Sequence, residues 1–185
     1  KALYGLGHSP RCFNKHLDEY FRKNGWDNGN DADSCLYLKY DKQGKVICAA
    51  VTFVDDALVT GTPEACDHYR SFMKQGYDIS DLGEPTDFLG MEIHYDHDKH
   101  TIKIWQQKYI EKMAERYAVP FKKTLVPMPY DKKLTPRQEG EEAADETLYR
   151  SKVGAIQYAA VCTRPDVCHA VRELAKHMVS PSTSH

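Results

Sequence analysis

Two adjacent carboxylates, Asp55 and Asp56, are the residues of this sequence best suited to chemistry. They stand between runs of β-branched and apolar residues at 51–54 and 57–59, which predict two strands with the acids at or near their junction. Two like charges are cheap at a surface but costly in a cleft, unless a cation or a basic partner balances them. The pair therefore predicts either a cation site or a plain hairpin turn.

The elements that must position this pair alternate between strands and helices. Residues 35–40 and 46–54 predict two strands joined by a turn. Residues 46–54 are apolar at almost every position, which predicts a central strand that is covered on both faces, with the acids held by the core. Ser9-Pro10 and Thr62-Pro63 each predict a helix N-cap followed by proline at the first helical position. Both helices, which should end near Gly25 and Gly76, are expected to pack on the sheet.

The second half of the chain predicts a further hairpin and three helices. The hairpin should be formed by residues 88–95 and 101–105, and helices are predicted at 106–117, 147–161 and 165–178. The first of them should bury Tyr109, Ile110, Met113 and Tyr117 and expose Lys108, Lys112 and Arg116. This order of elements predicts an α+β fold. His94, His97 and His100 are spaced by three and leave a transition-metal site open as an alternative, although a solvated turn fits a hairpin better.

Charge is unevenly distributed along the 185 residues, whose net charge is −2. Residues 99–137 contain ten basic side chains and three acids, and such a segment can follow a phosphate backbone. A solvated helix face with a charged loop is the alternative. The six cysteines include no C-x-x-C pair and are expected to be reduced. No apolar segment reaches membrane-spanning length, so no membrane association is expected.

Six motifs occur in an order and at a spacing that closely resemble the reverse transcriptase of copia-type long-terminal-repeat retrotransposons. They are, in chain order, Lys1-Ala2-Leu3-Tyr4-Gly5-Leu6 with Ser9-Pro10-Arg11, Phe53-Val54-Asp55-Asp56, Asp81-Leu82-Gly83, Phe88-Leu89-Gly90-Met91-Glu92-Ile93, Tyr149-Arg150 with Val153-Gly154, and Thr163-Arg164-Pro165-Asp166. The series covers nearly the whole chain. An Asp-Asp pair alone would carry no such specificity.

The resemblance implies a palm, an antiparallel sheet backed by helices, at residues 1–105, and a thumb with the start of the connection at 106–185. An irregular linker is expected at about 120–146. The chain begins without methionine, and both of its ends are expected to be cuts in a longer Pol polyprotein. The family's first palm motif, the fingers and the RNase H domain are expected to be absent. The implied function is part of an RNA-directed DNA polymerase, which performs two-metal nucleotidyl transfer in the intact protein. The fragment alone is expected to be inactive.

The resemblance also assigns roles to individual residues. Asp55 and Asp56 match the catalytic, metal-binding pair for Mg²⁺, or for Mn²⁺, held weakly here because the third carboxylate of the family lies upstream. Nucleotide and template contacts are implied for Gly5, Ser9, Pro10, Phe53 and Val54. The primer grip matches Phe88, Leu89, Gly90 and Met91. Contacts to the nucleic-acid backbone are implied for Lys108, Lys112, Lys122 and Lys123.

The implied partners are an RNA or DNA primer-template and a deoxynucleotide, with self-association possible through strands exposed by truncation. The implied location is intracellular, in a cytoplasmic virus-like particle or in the nucleus. One departure from the family pattern supports an alternative, since Gly7-His8 replaces the usual lysine-glutamine. The alternative is a non-catalytic module, decayed or reused, that binds nucleic acid or protein.

Overall fold

The structure of the chain is a computed structural model and describes residues 7–28, 33–120, 126–129, 131 and 133–185. It divides into two compact units, Lys1–Pro85 and Thr86–His185. Each unit combines helices with an antiparallel sheet, as the α+β prediction requires. Within the described ranges, no helix combines the length and apolar character needed to cross a lipid bilayer. The palm and thumb assignments, with their boundary at residue 105, stay predictions.

The first unit is a four-stranded antiparallel sheet with two helices. Its elements are α1 (Ser9–Lys23), β1 (Asp27–Asn28), β2 (Leu36–Tyr40), β3 (Val46–Phe53), β4 (Asp56–Gly61) and α2 (Pro63–Gly76). The strands lie in the order β1-β2-β3-β4. The predicted central position of β3 is therefore confirmed, because β3 is bonded to a strand on each side.

Both helices pack on one face of this sheet. Cys48, Ala50 and Thr52 of β3 are buried, and the first two share a core with Leu17 and Phe21 of α1 and several residues of α2. The alternate residues 47, 49 and 51 of β3 are only half-buried, because side chains alternate across a strand and both described helices of this unit pack on the other face. The prediction that β3 is covered on both faces is wrong.

Aromatic rings fill the centre of this core. The Phe21 ring stacks on the Tyr37 ring of β2 at a centroid distance of 4.0 Å and meets Trp26 edge-on at 5.6 Å. Where α2 ends, a Cβ added to Gly76 would lie 2.5–2.7 Å from atoms of the Tyr20 ring. The absence of a side chain at Gly76 therefore lets α1 and α2 approach closely.

The helix starts agree with the sequence prediction for α2 and differ by one residue for α1. The side-chain oxygen of Thr62, the N-cap of α2, accepts a hydrogen bond of 3.3 Å from the Ala65 backbone N–H. In α1 the N-cap is His8 rather than Ser9, so Ser9 is already helical. Pro10 still stands in the first turn, where its missing N–H costs no intrahelical bond.

The described residues of the second unit form a three-stranded antiparallel sheet and three α-helices. Its elements are β5 (Asp87–Phe88), β6 (Met91–Asp96), β7 (Thr101–Trp105), α3 (Gln107–Arg116), α4 (Glu146–Cys162) and α5 (Cys168–Ala175). The strand order β5-β6-β7 confirms the predicted hairpin. The prediction of a single helix at 165–178 is wrong, because a 3-10 turn at Pro165–Val167 precedes α5, and α5 ends at Ala175. Val153, Ala160 and Val171 form the core between α4 and α5.

The structure shows the state of the cysteines and the surroundings of the three histidines. All six cysteines are free thiols, as expected. His94, His97 and His100 are exposed on the β6–β7 hairpin, and the described residues contain no group of three or more His, Cys, Asp or Glu side chains that could hold a metal. The structure therefore favours the solvated turn over the histidine metal site.

Candidate active site

Asp55 lies in the tight turn that joins β3 to β4, and Asp56 is the first residue of β4. Phe53 pairs with Asp56 across the two strands, so Val54 and Asp55 form a two-residue loop. The predicted position of the acids at the junction of two strands is confirmed. The two carboxylate residues are exposed, so the core anchors the strand that leads to them but does not enclose the acids. Residues 53–57, around the turn, are all exposed.

The backbone of this turn is strained at Val54. Its φ angle is +54°, in the left-handed region that costs an ordinary L-residue about 1–2 kcal/mol. Two-residue hairpin loops require such angles and usually place glycine or asparagine there, whereas Val54 is β-branched and 62% exposed. The β3–β4 pairing holds the chain in this conformation. Strain of this kind concentrates at functional sites.

The register of the hairpin determines the face on which Asp56 is presented. Asp56 pairs with Phe53, and Val51 pairs with Leu58. Because alternate residues point to opposite faces, these four side chains lie on the face away from α1 and α2. Phe53 is 54% exposed there. A substrate can therefore approach Asp56, with Phe53 beside it, without displacing a helix of this unit.

The strands that carry the turn are anchored by close backbone contacts. The Thr52 backbone N–H donates to the Cys35 carbonyl at 3.0 Å. Gly61 of β4 pairs with Cys48, and a Cβ at Gly61 would lie 2.4 Å from the Ile47 carbonyl oxygen. Burial, with Cys66 nearby, raises the pKa of the Cys48 thiol to about 12. The Cys48 thiol beneath the sheet is therefore neutral, and the hairpin is tied to the core through β3.

The carboxylate oxygens of Asp55 and Asp56 are the kind of ligand that a hard divalent cation prefers. Carboxylate oxygens are the ligands that Mg²⁺ takes from proteins, commonly one or two of them together with water and substrate phosphates. Asp55 and Asp56 supply two such groups. No third metal-ligating side chain joins them among the described residues. The pair can thus form part of a magnesium site that substrate phosphates complete.

The other residues predicted to contact nucleotide or template fall into two groups. Phe53 and Val54 are beside the acids in the same hairpin. Ser9 and Pro10 lie in the first turn of α1, half-buried and exposed respectively. Gly5 lies outside the described residues. The hairpin is thus the place where the structure gathers predicted site residues.

The predicted primer-grip residues form a tight turn in the second unit. Phe88 and Met91 pair across β5 and β6, and Leu89 and Gly90 form the loop with φ angles of +51° and +75°. The Tyr158 hydroxyl of α4 donates a hydrogen bond to the Leu89 carbonyl. This contact, which joins residues 69 apart in the sequence, was not predicted, because no sequence pattern marks the partner of a tyrosine hydroxyl.

A second tyrosine ties α3 to α4 close to this turn. The Tyr109 hydroxyl donates to the Ala155 carbonyl at 2.9 Å, and the Tyr109 and Tyr158 rings are 5.1 Å apart in an edge-on arrangement. Lys108 and Lys112 are exposed on α3, as predicted. Lys122 and Lys123 lie outside the described residues. The turn at Leu89 and the basic face of α3 are therefore held on a common support, α4.

Comparisons with known proteins agree with the motif series. The model of the reverse transcriptase (RNA-dependent DNA polymerase) family matches residues 1–128. The chain is 30% identical over 192 residues to the retrovirus-related Pol polyprotein of transposon TNT 1-94 from Nicotiana tabacum, and all of the chain is covered. It is 32% identical over 187 residues to that of transposon RE1 from Arabidopsis thaliana, again with all of the chain covered.

The matched relatives differ in how much of their length the chain covers. The chain spans 14% of the TNT 1-94 polyprotein and 12% of the RE1 polyprotein. A Ty5-1 transposon protein of Saccharomyces cerevisiae is 29% identical over 186 residues, and the chain, covered in full, spans 59% of it. No solved structure matches the chain.

Proposed function

The chain belongs to the reverse transcriptase family of retrotransposons, and from that premise we propose that it supplies part of the catalytic centre of an RNA-directed DNA polymerase. The observation that supports this proposal best is the exposed Asp55-Asp56 pair on a strained two-residue turn, at the open face of an antiparallel sheet. The reaction is the extension of a primer by a deoxynucleotide opposite a template strand.

In this proposal the carboxylates of Asp55 and Asp56 hold magnesium together with the phosphates of the incoming nucleotide. Bound magnesium supplies stabilisation of the negative charge that develops on the transferred phosphoryl group. Phe53 and Val54 shape the floor on which the primer terminus rests. The strained turn keeps both carboxylates in place before the substrate arrives. The entropy cost of ordering them when the substrate binds is therefore reduced.

The second unit contributes contacts to nucleic acid in the same proposal. The Leu89-Gly90 turn, supported by Tyr158, seats the primer end, and Lys108 and Lys112 contact the phosphate backbone. The exposure of both lysines supports this role, since long-range attraction to phosphates needs charged groups at the surface. These assignments correspond to a palm that carries the acids and a thumb that grips the duplex.

Metal binding tests the proposed role of the acids directly. Mn²⁺ titrated into the protein, with free Mn²⁺ followed by electron paramagnetic resonance, should bind weakly alone and more tightly when primer-template and deoxynucleotide are present. Asp55→Asn and Asp56→Asn should each weaken binding at least about tenfold, in the range found when a metal site loses a supporting group. Asp98→Asn changes another exposed carboxylate, which belongs to the β6–β7 hairpin, and it should leave binding unchanged. Equal Mn²⁺ affinity in all three variants would refute the assignment.

A non-catalytic nucleic-acid-binding module is a second candidate, favoured by the finding that only two carboxylates gather among the described residues. Primer extension separates the two readings. We expect no extension by the 185-residue chain alone and extension by a longer Pol polyprotein that carries it. If that polyprotein binds primer-template yet incorporates no nucleotide with Mg²⁺ or Mn²⁺, the binding module is the correct reading.

A further inference from the structure

An open pocket of about 590 Å³ lies within the second unit, where the end of β7 meets the start of α3. The residues that line it include Ile104, Trp105, Gln106, Ile110, Thr163 and Arg164. The volume falls in the range of pockets that hold small organic molecules, roughly 300–1,000 Å³. None of the roles proposed above uses this pocket, called the Gln106 pocket below.

A buried amide without a full set of partners points to a missing ligand. Gln106 is only 2% exposed. Its Oε1 accepts a hydrogen bond of 2.7 Å from the Thr163 hydroxyl, while its Nε2 is buried and has no hydrogen-bond partner. Leaving a buried donor unpaired costs about 1–3 kcal/mol. Because Gln106 lines the pocket, a turn of its amide toward the pocket would let an acceptor atom of a bound molecule satisfy this donor.

The remaining walls suit a flat, partly apolar ligand. Trp105 and Ile104 are 37% and 52% exposed. Burial of these apolar side chains by a ligand would lower the free energy. The Arg164 guanidinium is held by two hydrogen bonds to Asp166, of 2.9 and 2.7 Å, which fix the plane of the group. Aromatic rings and guanidinium planes are the surfaces on which unstacked bases pack.

The charges around the pocket favour a phosphate-bearing ligand. Lys103 lies two residues before Trp105 on β7 and therefore on the same face of the sheet. Glu111 is the acid of the lining, and its carboxylate accepts a 2.9 Å hydrogen bond from Gln107. Strand β7 and helix α3, which meet at the pocket, carry Lys103, Lys108, Lys112 and Arg116 against Glu111 and Glu115. A peptide has no such requirement for surrounding positive charge, whereas a nucleic-acid strand does.

We propose that the Gln106 pocket binds an unstacked nucleobase of a single-stranded nucleic acid. The Nε2–H group of Gln106 donates to a carbonyl oxygen or ring nitrogen of the base, Trp105 stacks against its face, and the basic side chains receive the adjoining phosphates. The proposal rests on the proposed function, because a polymerase that uses a primer-template meets single-stranded nucleic acid beyond the duplex.

Tryptophan fluorescence offers a direct test. The chain has two tryptophans, and Trp26 is 3% exposed in the core of the first unit, so an added ligand should quench chiefly Trp105. The probes are pentathymidylate and an abasic pentanucleotide with the same number of phosphates. Pentathymidylate should quench in a saturable way and bind about tenfold more tightly than the abasic probe, as base stacking on an aromatic side chain implies.

Two variants isolate the contribution of the pocket. Gln106→Glu keeps the shape of the side chain and the acceptor for Thr163, but it removes the donor. It should weaken pentathymidylate binding about tenfold more than it weakens abasic binding, because the added charge repels the phosphates of both probes alike. If Gln106→Glu fails to fold, Trp105→Leu, tested by the fluorescence anisotropy of a labelled pentathymidylate, should abolish the preference for the probe with bases.

The outcomes separate this inference from the proposed function. Equal binding of the two probes by the wild-type chain overturns the pocket assignment. If primer-template binding and its dependence on Asp55 persist in that case, the proposed function stands without the pocket. A base preference that survives both Gln106→Glu and Trp105→Leu also overturns the assignment, because the base then binds elsewhere.

Discussion

The strained turn at Val54 makes an unusual stability prediction for a valine-to-glycine change. Val54→Gly should relieve the left-handed strain, about 1–2 kcal/mol, since glycine adopts a φ of +54° without steric cost. Two costs oppose this gain. Glycine loses more conformational entropy on folding, which costs about 0.5–1 kcal/mol. The substitution also removes the small apolar burial of a residue that is 62% exposed. The net effect should lie between neutral and about 1 kcal/mol of stabilisation.

Val46→Gly is the matched control. Val46 also belongs to β3 and is 44% exposed, but its φ is not positive, so the same substitution adds glycine entropy without relieving strain. It should destabilise the first unit by about 1–2 kcal/mol. Urea unfolding followed through Trp26, in a Trp105→Phe background, measures both. If Val54→Gly destabilises as much as Val46→Gly, the strain at the turn is refuted.

Two further predictions concern the core and the basic face of α3. The Tyr37 hydroxyl is buried without a hydrogen-bond partner, and burial raises its pKa to about 12. The contribution of the neutral Tyr37 hydroxyl to the free energy of unfolding is therefore fully present below pH 10. It is lost as the pH rises through 12, because the hydroxyl ionises more readily in the unfolded chain. Tyr37→Phe should stabilise the unit at pH 7 by about 1 kcal/mol. Between pH 10 and 12 the variant should lose less stability than the wild type, by on the order of 2 kcal/mol. If urea unfolding gives parallel curves of stability against pH for the two proteins, this prediction is contradicted. Replacing Lys108 and Lys112 together by alanine should lower the slope of log K against log salt for primer-template binding by about 2. Lys42→Ala together with Lys45→Ala, in the first unit, is the control, and an equal loss of slope there would contradict a specific role for α3.

Local patterns were sufficient to predict the hairpin that carries the acids. Apolar residues on either side of Asp55 and Asp56 indicated two strands, and Thr62-Pro63 indicated the helix that follows them. The angle at Val54 could not be predicted, because Val-Asp is not a pair that favours left-handed turns. That angle follows from the register of β3 against β4, which depends on pairing along the whole length of both strands.

Features that depend on distant residues were not predictable from local patterns. The apolar run of β3 could not show that α1 and α2 pack on the same face of the sheet. The bond from Tyr158 to the Leu89 carbonyl and the unpaired amide of Gln106 each depend on where α4 lies. Local periodicity specifies which face of an element is apolar, but not which element covers it.

RNA-templated primer extension by the Pol polyprotein that carries this chain tests the central claim most directly. The wild-type protein should extend a DNA primer with Mg²⁺. Asp55→Asn should reduce the rate about a thousandfold, since the loss of metal-dependent charge stabilisation is worth several kcal/mol in the barrier. Asp98→Asn should extend the primer at the wild-type rate. Extension by Asp55→Asn at the wild-type rate would show that the Asp55-Asp56 turn is not the catalytic centre.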